Sequence, residues 1–219
     1  MKKQETEDLM DWENISSGHI HNFKETAETM FAPVYNVLAR QVVEDYKITG
    51  GSCVDIGAGT GGLACEIAKI SNLTVYALDI NHEMVEIINE KIQKEGLKRR
   101  VIPTIGDVHE LPFGSNFADL IVSRGSFLFW KDKRKAFLEI HRVLKTGGVG
   151  FIGGGFGRDK EIREKAMMWG EETFKKANRG VSFHEHLKNK HDELTEILKD
   201  MGGFNIIHDE SGLWVEIRK

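Results

Sequence analysis

The 219-residue chain is poor in cysteine, has no excess of positive charge and contains no uninterrupted apolar run long enough to span a bilayer. Its two cysteines, Cys53 and Cys65, fall in an apolar run and in the helix expected after it, without the spacing of a metal site. Both read as small buried hydrophobes, in keeping with a reducing, intracellular setting. The 30 Lys and Arg against 34 Asp and Glu give a net charge of −4, so nucleic acid is not an expected partner. The local clusters KRR at 98–100 and KDKRK at 131–135 have acidic neighbours and read as solvated helix ends or loops. The opening residues MKKQETEDLMDWENISS hold no apolar core of signal-peptide length. No membrane association is expected, and the expected location is cytoplasmic. Internal repeats, linkers and low-complexity segments are also missing.

What the sequence does contain is an alternation of short apolar runs with amphipathic stretches. Apolar positions 30, 31, 34, 37, 38 and 42 predict a helix over about 24–46, kinked or restarted at Pro33. SCVDIG, SNLTVYALDI, VIPTIGD, FADLIVS and VGFIGGG then read as five strands, the last entered through a turn at KTGG, 145–148. GGLACEIAKI, NHEMVEIINEKI and KRKAFLEIHRVL read as crossover helices, the second ended by Gly96. Strands alternating with helices predict a parallel α/β sheet with helices on both faces. Residues 156–200 carry helical patterns only, and FNIIH, DESG and LWVEIRK form a closing hairpin signal. A single domain over 1–219 is expected: a helical cap at 1–46, a cofactor-binding core at 47–155, a helical insert at 156–200 and the hairpin at 201–219.

VDIGAGTGG, residues 54–62, places four glycines in nine positions directly after a strand. Glycines at 57, 59 and 61 satisfy one cofactor template, and those at 57, 59 and 62 satisfy the dinucleotide pattern. Both rest on the same physics. Bare backbone approaches a ligand closely, and the following helix offers unpaired N–H groups. Asp79, ending the second strand, suits ribose hydroxyls, with an N-cap role as its plain alternative. Asp55 lies inside the first strand, where a carboxylate is costly unless amides or a cationic ligand group compensate it, and where a pyrophosphate would be repelled. Gly106-Asp107-Val108 closes the third strand with an acid suited to an adenine edge.

Taken in order, VDIGAGTG, VYALDI, GDVHELPF and RVLKTGG resemble the motifs of the class I S-adenosylmethionine-dependent methyltransferases, in particular those acting on small molecules. The resemblance covers about residues 30–155, and the hairpin by topology. It implies a Rossmann-like, seven-stranded, mostly parallel sheet with an antiparallel C-terminal hairpin strand. It implies S-adenosylmethionine as cofactor, S-adenosylhomocysteine as product and a small-molecule methyl acceptor as partner. Carried over by position, Asp55, Gly57, Ala58 and Gly59 would line the methionine part, with Thr60 and Gly61 completing the turn. Asp79 would hold the ribose, Ile80 and Met84 would lie beside adenine, and Gly106, Asp107 and Val108 would meet its edge. Ser123, Arg124 and Gly125 would sit near the sulfonium and the substrate. Tyr35, within the amino-terminal helix, is a further cofactor-binding candidate. The sequence SRGSFLFW departs from the Asn-Pro-Pro-Tyr motif of amino-group methylation on bases and glutamine.

No catalytic residue or general base stands out, and neither the acceptor atom nor the oligomeric state is fixed. Phe127, Phe129, Trp130, Phe156, Met167, Met168 and Trp169 could line an apolar pocket or simply pack the helical insert on the sheet. His19 and His21, placed before the first helix, suit a lid or a solvated loop. His184, His186 and His191 lack the acidic or cysteine partners of a familiar metal site, so no metal is expected. Rivals to methyl transfer are an NAD(P)-dependent oxidoreductase, from the second reading of GAGTGG, and a non-catalytic cofactor-binding module.

Overall fold

The structure, a computed structural model, describes residue 13, residues 15–176 and residues 183–219, the side chains of 170–188 excepted. Seven strands form one sheet: β1 (Gly50–Ile56), β2 (Asn72–Asp79), β3 (Val101–Ile105), β4 (Ala118–Arg124), β5 (Leu144–Gly155), β6 (Phe204–Asp209) and β7 (Gly212–Arg218). Their order is β3-β2-β1-β4-β5-β7-β6, with β7 antiparallel to both neighbours and the other pairings parallel. The seven-stranded mostly parallel sheet with its antiparallel hairpin strand is therefore as expected.

The helices are α1 (Ser17–Thr29), α2 (Ala32–Tyr46), α3 (Gly62–Ile70), α4 (His82–Lys94), α5 (Lys133–Val143), α6 (Lys160–Lys176) and α7 (Phe183–Leu198). One layer of the core joins Cys53, Val122, Phe151 and Trp214 of the sheet to α2, α3 and α4. The other joins Val54, Ile121 and Ile152 to α5 and α7 through Phe137, Ile140, Leu194 and Leu198. Successive strand residues supply opposite layers, which is why β1 reads as a continuous apolar run rather than an alternating one. The 156–200 stretch divides between the layers: Ala166 of α6 packs with the first, and α7 covers the second.

Two boundaries differ from expectation. The helix predicted over 24–46 is two helices, with α1 beginning seven residues earlier and Pro33 in the first turn of α2. A proline lacks the N–H that a helix interior needs but loses nothing at a helix start, so the chain restarts there. His19 and His21 consequently lie within α1, not ahead of a helix. The KTGG segment falls inside β5 rather than before it. Pairing resumes at Leu144, slips between Ala118 and Leu120, and absorbs the expected turn as an irregularity with Gly147 at φ 83°.

β1 pairs with β2 on one side and β4 on the other, so chain progression reverses there. Connections leaving the carboxyl ends of β1 and β4 diverge over opposite faces and open a crevice between them. Open α/β sheets bind ligands at such a reversal.

Candidate functional site

The glycine turn occupies the β1 side of this crevice. Gly57, Gly59 and Gly61 all have positive φ, at 66°, 54° and 75°. The turn is held by Ala58 N–H donating to Leu78 O and Gly61 N–H to Ala58 O, each 2.9 Å. A Cβ at Gly57 would meet the Ser126 side chain at 2.3 Å, and one at Gly62 the Tyr35 ring at 2.4 Å. The bare backbone therefore serves neighbours of the fold as well as any ligand.

Asp55 is 2% exposed and points toward α3, and its Oδ2 is buried without a hydrogen-bond partner among the described residues. Burial pushes its pKa up to about 7, opposed by the Ala64 amide and reinforced by nearby Asp79. An acid placed at such cost calls for a cationic or hydrogen-bond-donating group beside it. Asp79 is also buried, but its oxygens are occupied differently: Oδ2 accepts from Gly59 N–H at 2.8 Å and Oδ1 from Asn81 N–H at 3.1 Å. Burial raises its pKa, and the amides of Asn81, Gly59 and Ile80 offset part of that rise. The helix cap is not Asp79, which ends the strand too early. Asn81 caps α4 by accepting from Met84 N–H at 3.1 Å, which leaves Asp79 to brace the glycine turn.

Ile80 is half-buried beside this carboxylate, and Met84 is fully buried at the start of α4. After β3, Gly106 N–H donates to Asp79 O at 3.0 Å, linking the two strand ends. Asp107 accepts from the His109 amide at 2.9 Å and lies 2.6 Å from His109 Nδ1. Partial burial raises its pKa, but the His109 amide and ring prevail and hold it below its ordinary value. Because His109 Nε2 accepts from Asp132 N–H at 3.1 Å, the ring carries its proton on Nδ1, toward Asp107. Val108 beside it is buried.

The β4 side is built of other material. Ser123 and Ser126 share a hydrogen bond at 2.6 Å, and Ser126 Oγ donates to Ile56 O at 3.1 Å, tying the end of β4 to that of β1. Gly125, at φ 86°, opens a 3₁₀ turn over Ser126–Phe129. Arg124 projects from the face that carries Asp55. Its guanidinium carbon lies 4.0 Å from the Phe31 ring centre and 5.7 Å from those of Tyr35 and Phe156, and Nε donates to Gly155 O at 3.2 Å. Phe31 in turn meets Trp169 edge-on at 5.3 Å.

The seven candidate pocket residues are thereby divided. Phe156 faces Arg124 and Trp169 backs the Phe31 ring that also faces it, whereas Phe127 and Trp130 are core residues on the α5 side, Trp130 packing against Phe137. Met167 and Met168 are exposed, at 37% and 68%. Phe129 is half-buried in the 3₁₀ turn. His191 stacks on His208 at 5.3 Å, the side chains of His184 and His186 lie outside the described residues, and no metal-holding group occurs among the described residues.

Four contributors were not singled out from sequence: Phe23, Phe31, His109 and Ser126. Phe23 of α1 roofs the glycine turn, its ring 2.9 Å from where a Gly59 Cβ would stand. α1 is fastened to α4 through Ser17 Oγ donating to Glu83 at 3.1 Å. Only His109 had a local signal, since an aspartate two residues ahead commonly accepts the following N–H. The other three act across the fold.

The chain matches the family described as "Methyltransferase domain" over residues 54–152. A crystal structure from Methanococcus maripaludis, assigned as an S-adenosyl-L-methionine-dependent methyltransferase, is 38% identical, with a TM-score of 0.83 and 92% of each chain covered. The chain belongs to the S-adenosylmethionine-dependent methyltransferase family. A sterol 24-C-methyltransferase of Aspergillus fumigatus is 27% identical over 81% of this chain and 47% of its own length. A sarcosine/dimethylglycine N-methyltransferase of Aphanothece halophytica is 32% identical over 53% of this chain and 44% of its own. The chain thus spans under half the length of these curated relatives.

Membership in this methyltransferase family decides between the two readings of GAGTGG in favour of the sulfonium cofactor over a dinucleotide. The residues fit that group. Asp55 has a buried, unpartnered carboxylate oxygen for a cationic methionine end, and Asp79 stands at the strand end where a ribose would lie. Among the described residues no helix is long and apolar enough to cross a membrane.

Proposed function

We propose that the chain transfers a methyl group from S-adenosylmethionine to a small-molecule acceptor. The observation that carries this reading is the pair of buried acids flanking the glycine turn, one with an oxygen free for a cationic group. When bound, the cofactor supplies an already activated methyl on a sulfonium, so the protein's contribution is placement. Asp55 with Gly57, Ala58, Gly59, Thr60 and Gly61 would hold the methionine part, and Asp79 the ribose. Ile80, Met84, Gly106, Asp107 and Val108 would enclose adenine. Ser123, Arg124, Gly125 and Tyr35 would face the acceptor. α1, α2 and α6 would form the cap over an otherwise single catalytic domain. Cytoplasmic action on a metabolite, without nucleic acid or membrane, completes the reading. Relatives named for acceptors as unlike as a sterol and sarcosine leave the acceptor's identity to experiment.

Calorimetric titration of the folded protein with S-adenosylhomocysteine should give saturable one-site binding, and its absence would overturn the reading. Incubation with methyl-labelled S-adenosylmethionine and a small-metabolite extract should move label into a small product. Tight binding with no transfer would favour the non-catalytic module instead.

A further inference from the structure

Arg124 stands out among the half-buried charges. Its partners are the Gly155 carbonyl, the Tyr35 hydroxyl and three aromatic faces, and no ion pair involves it among the described residues. Asp55 shares its sheet face: it is in register with Val122, two residues before Arg124, yet the two form no ion pair. A guanidinium presents five N–H donors in a fixed fork, and a carbonyl and a hydroxyl do not use them all. Aromatic faces stabilise the cation but accept no bidentate hydrogen bond. Burial lowers the Arg124 pKa, with Tyr35 opposing the shift, as expected where a cation is desolvated without a full countercharge.

The geometry fits a planar anion with an apolar body. The fork would take a carboxylate, and Phe31, Tyr35, Phe156 and Trp169 would take the carbon skeleton attached to it. Position favours the acceptor as its source, because Arg124 ends β4, across the crevice from the glycine turn. We propose that Arg124 is the anion-binding residue for the methyl acceptor, which carries a carboxylate beside an apolar or aromatic body. This rests on the methyl-transfer reading of the site and adds the acceptor's chemical class to it.

The test uses the full chain saturated with S-adenosylhomocysteine, titrated with benzoate, phenylacetate and hexanoate and with the neutral amide of each. At least one carboxylate should bind about tenfold more tightly than its amide, as expected when a charge-assisted bidentate contact is exchanged for a neutral one. The preference should vanish in Arg124→Met and persist, weakened, in Arg124→Lys. Absence of preference in every pair, or its survival in Arg124→Met, overturns the proposal.

A second arm separates the acceptor's carboxylate from the cofactor's own. S-adenosylhomocysteine and 5′-methylthioadenosine, which lacks the amino-acid end, are titrated into wild type and Arg124→Met. Parallel affinities in both proteins support the acceptor as the source and show that the variant is folded. A selective loss for S-adenosylhomocysteine of about tenfold assigns Arg124 to the cofactor and overturns the proposal. Failure of the wild type to bind S-adenosylhomocysteine at all defeats the methyl-transfer reading itself, a result distinct from any carboxylate–amide comparison.

Discussion

The two sides of the crevice are made differently. On the β1–β3 side each acid is placed by backbone: Asp79 by the amides of Gly59 and Asn81, Asp107 by that of His109. On the β4–β5 side a cation rests on rings drawn from α2 and from the segments that precede α2 and α6, with few directional bonds. Backbone amides fix a carboxylate within a few tenths of an ångström, whereas stacked rings tolerate sliding. One side is suited to a ligand that never changes, and the other can be re-tailored by exchanging aromatic residues without disturbing the turn.

The comparison breaks most readily at Asp79. Asp79→Ala removes the acceptor for both Gly59 and Asn81 N–H, charge-assisted bonds worth about 1.5–3 kcal/mol each, along with any ribose contact. S-adenosylhomocysteine affinity should fall at least about 100-fold by calorimetry. A loss under tenfold would mean that the amides do not organise this side.

Next in size is the pH response of Asp55. Its pKa of about 7 in the folded protein exceeds the ordinary 3.8, so the folded state holds the proton more tightly than the unfolded chain does. Stability should therefore fall as pH rises from about 4 to about 7 and stay low above it. Asp55→Asn should lose that slope and exceed wild type by of order 2 kcal/mol at pH 8 in denaturant unfolding. The same variant should bind S-adenosylhomocysteine more weakly. Equal pH slopes in both proteins would show that Asp55 is not the group responsible.

The smallest effect is expected at Phe23. Phe23→Ala uncovers Gly59 and should raise the association rate of S-adenosylhomocysteine several-fold in stopped-flow fluorescence, changing affinity less than about fivefold. An unchanged rate would mean that α1 does not limit entry.

The same division governs what could be read from the sequence. The backbone-made side was legible, because its parts lie within short segments: a glycine run after a strand, an acid at the next strand's end, Gly106-Asp107 at the third. Periodicity separated strand from helix, and turn residues marked the hairpin. The ring-lined side was legible only in part: Tyr35, Arg124, Phe156 and Trp169 were each candidates, but which of them meet, and that Phe31 joins them, is decided by tertiary packing. A phenylalanine at helical spacing reads alike whether it meets a core or a guanidinium. Phe127 and Trp130, neighbours in sequence to Arg124, went into the core instead. The start of α1 was missed because SGHIHNFK carries little apolar periodicity, and its packing on the turn supplies what propensity does not.

The placement of β7 between β5 and β6 has a consequence for biosynthesis. On the ribosome, β1 to β5 emerge and can zip together while the outer rim of β5 still shows unsatisfied peptide groups to solvent. That rim is closed only once Gly212–Arg218 has cleared the exit tunnel and slotted in antiparallel. A stop codon or frameshift upstream of Gly212 would thus leave a nearly finished nascent domain with a sticky margin, prone to recruit strands from other chains.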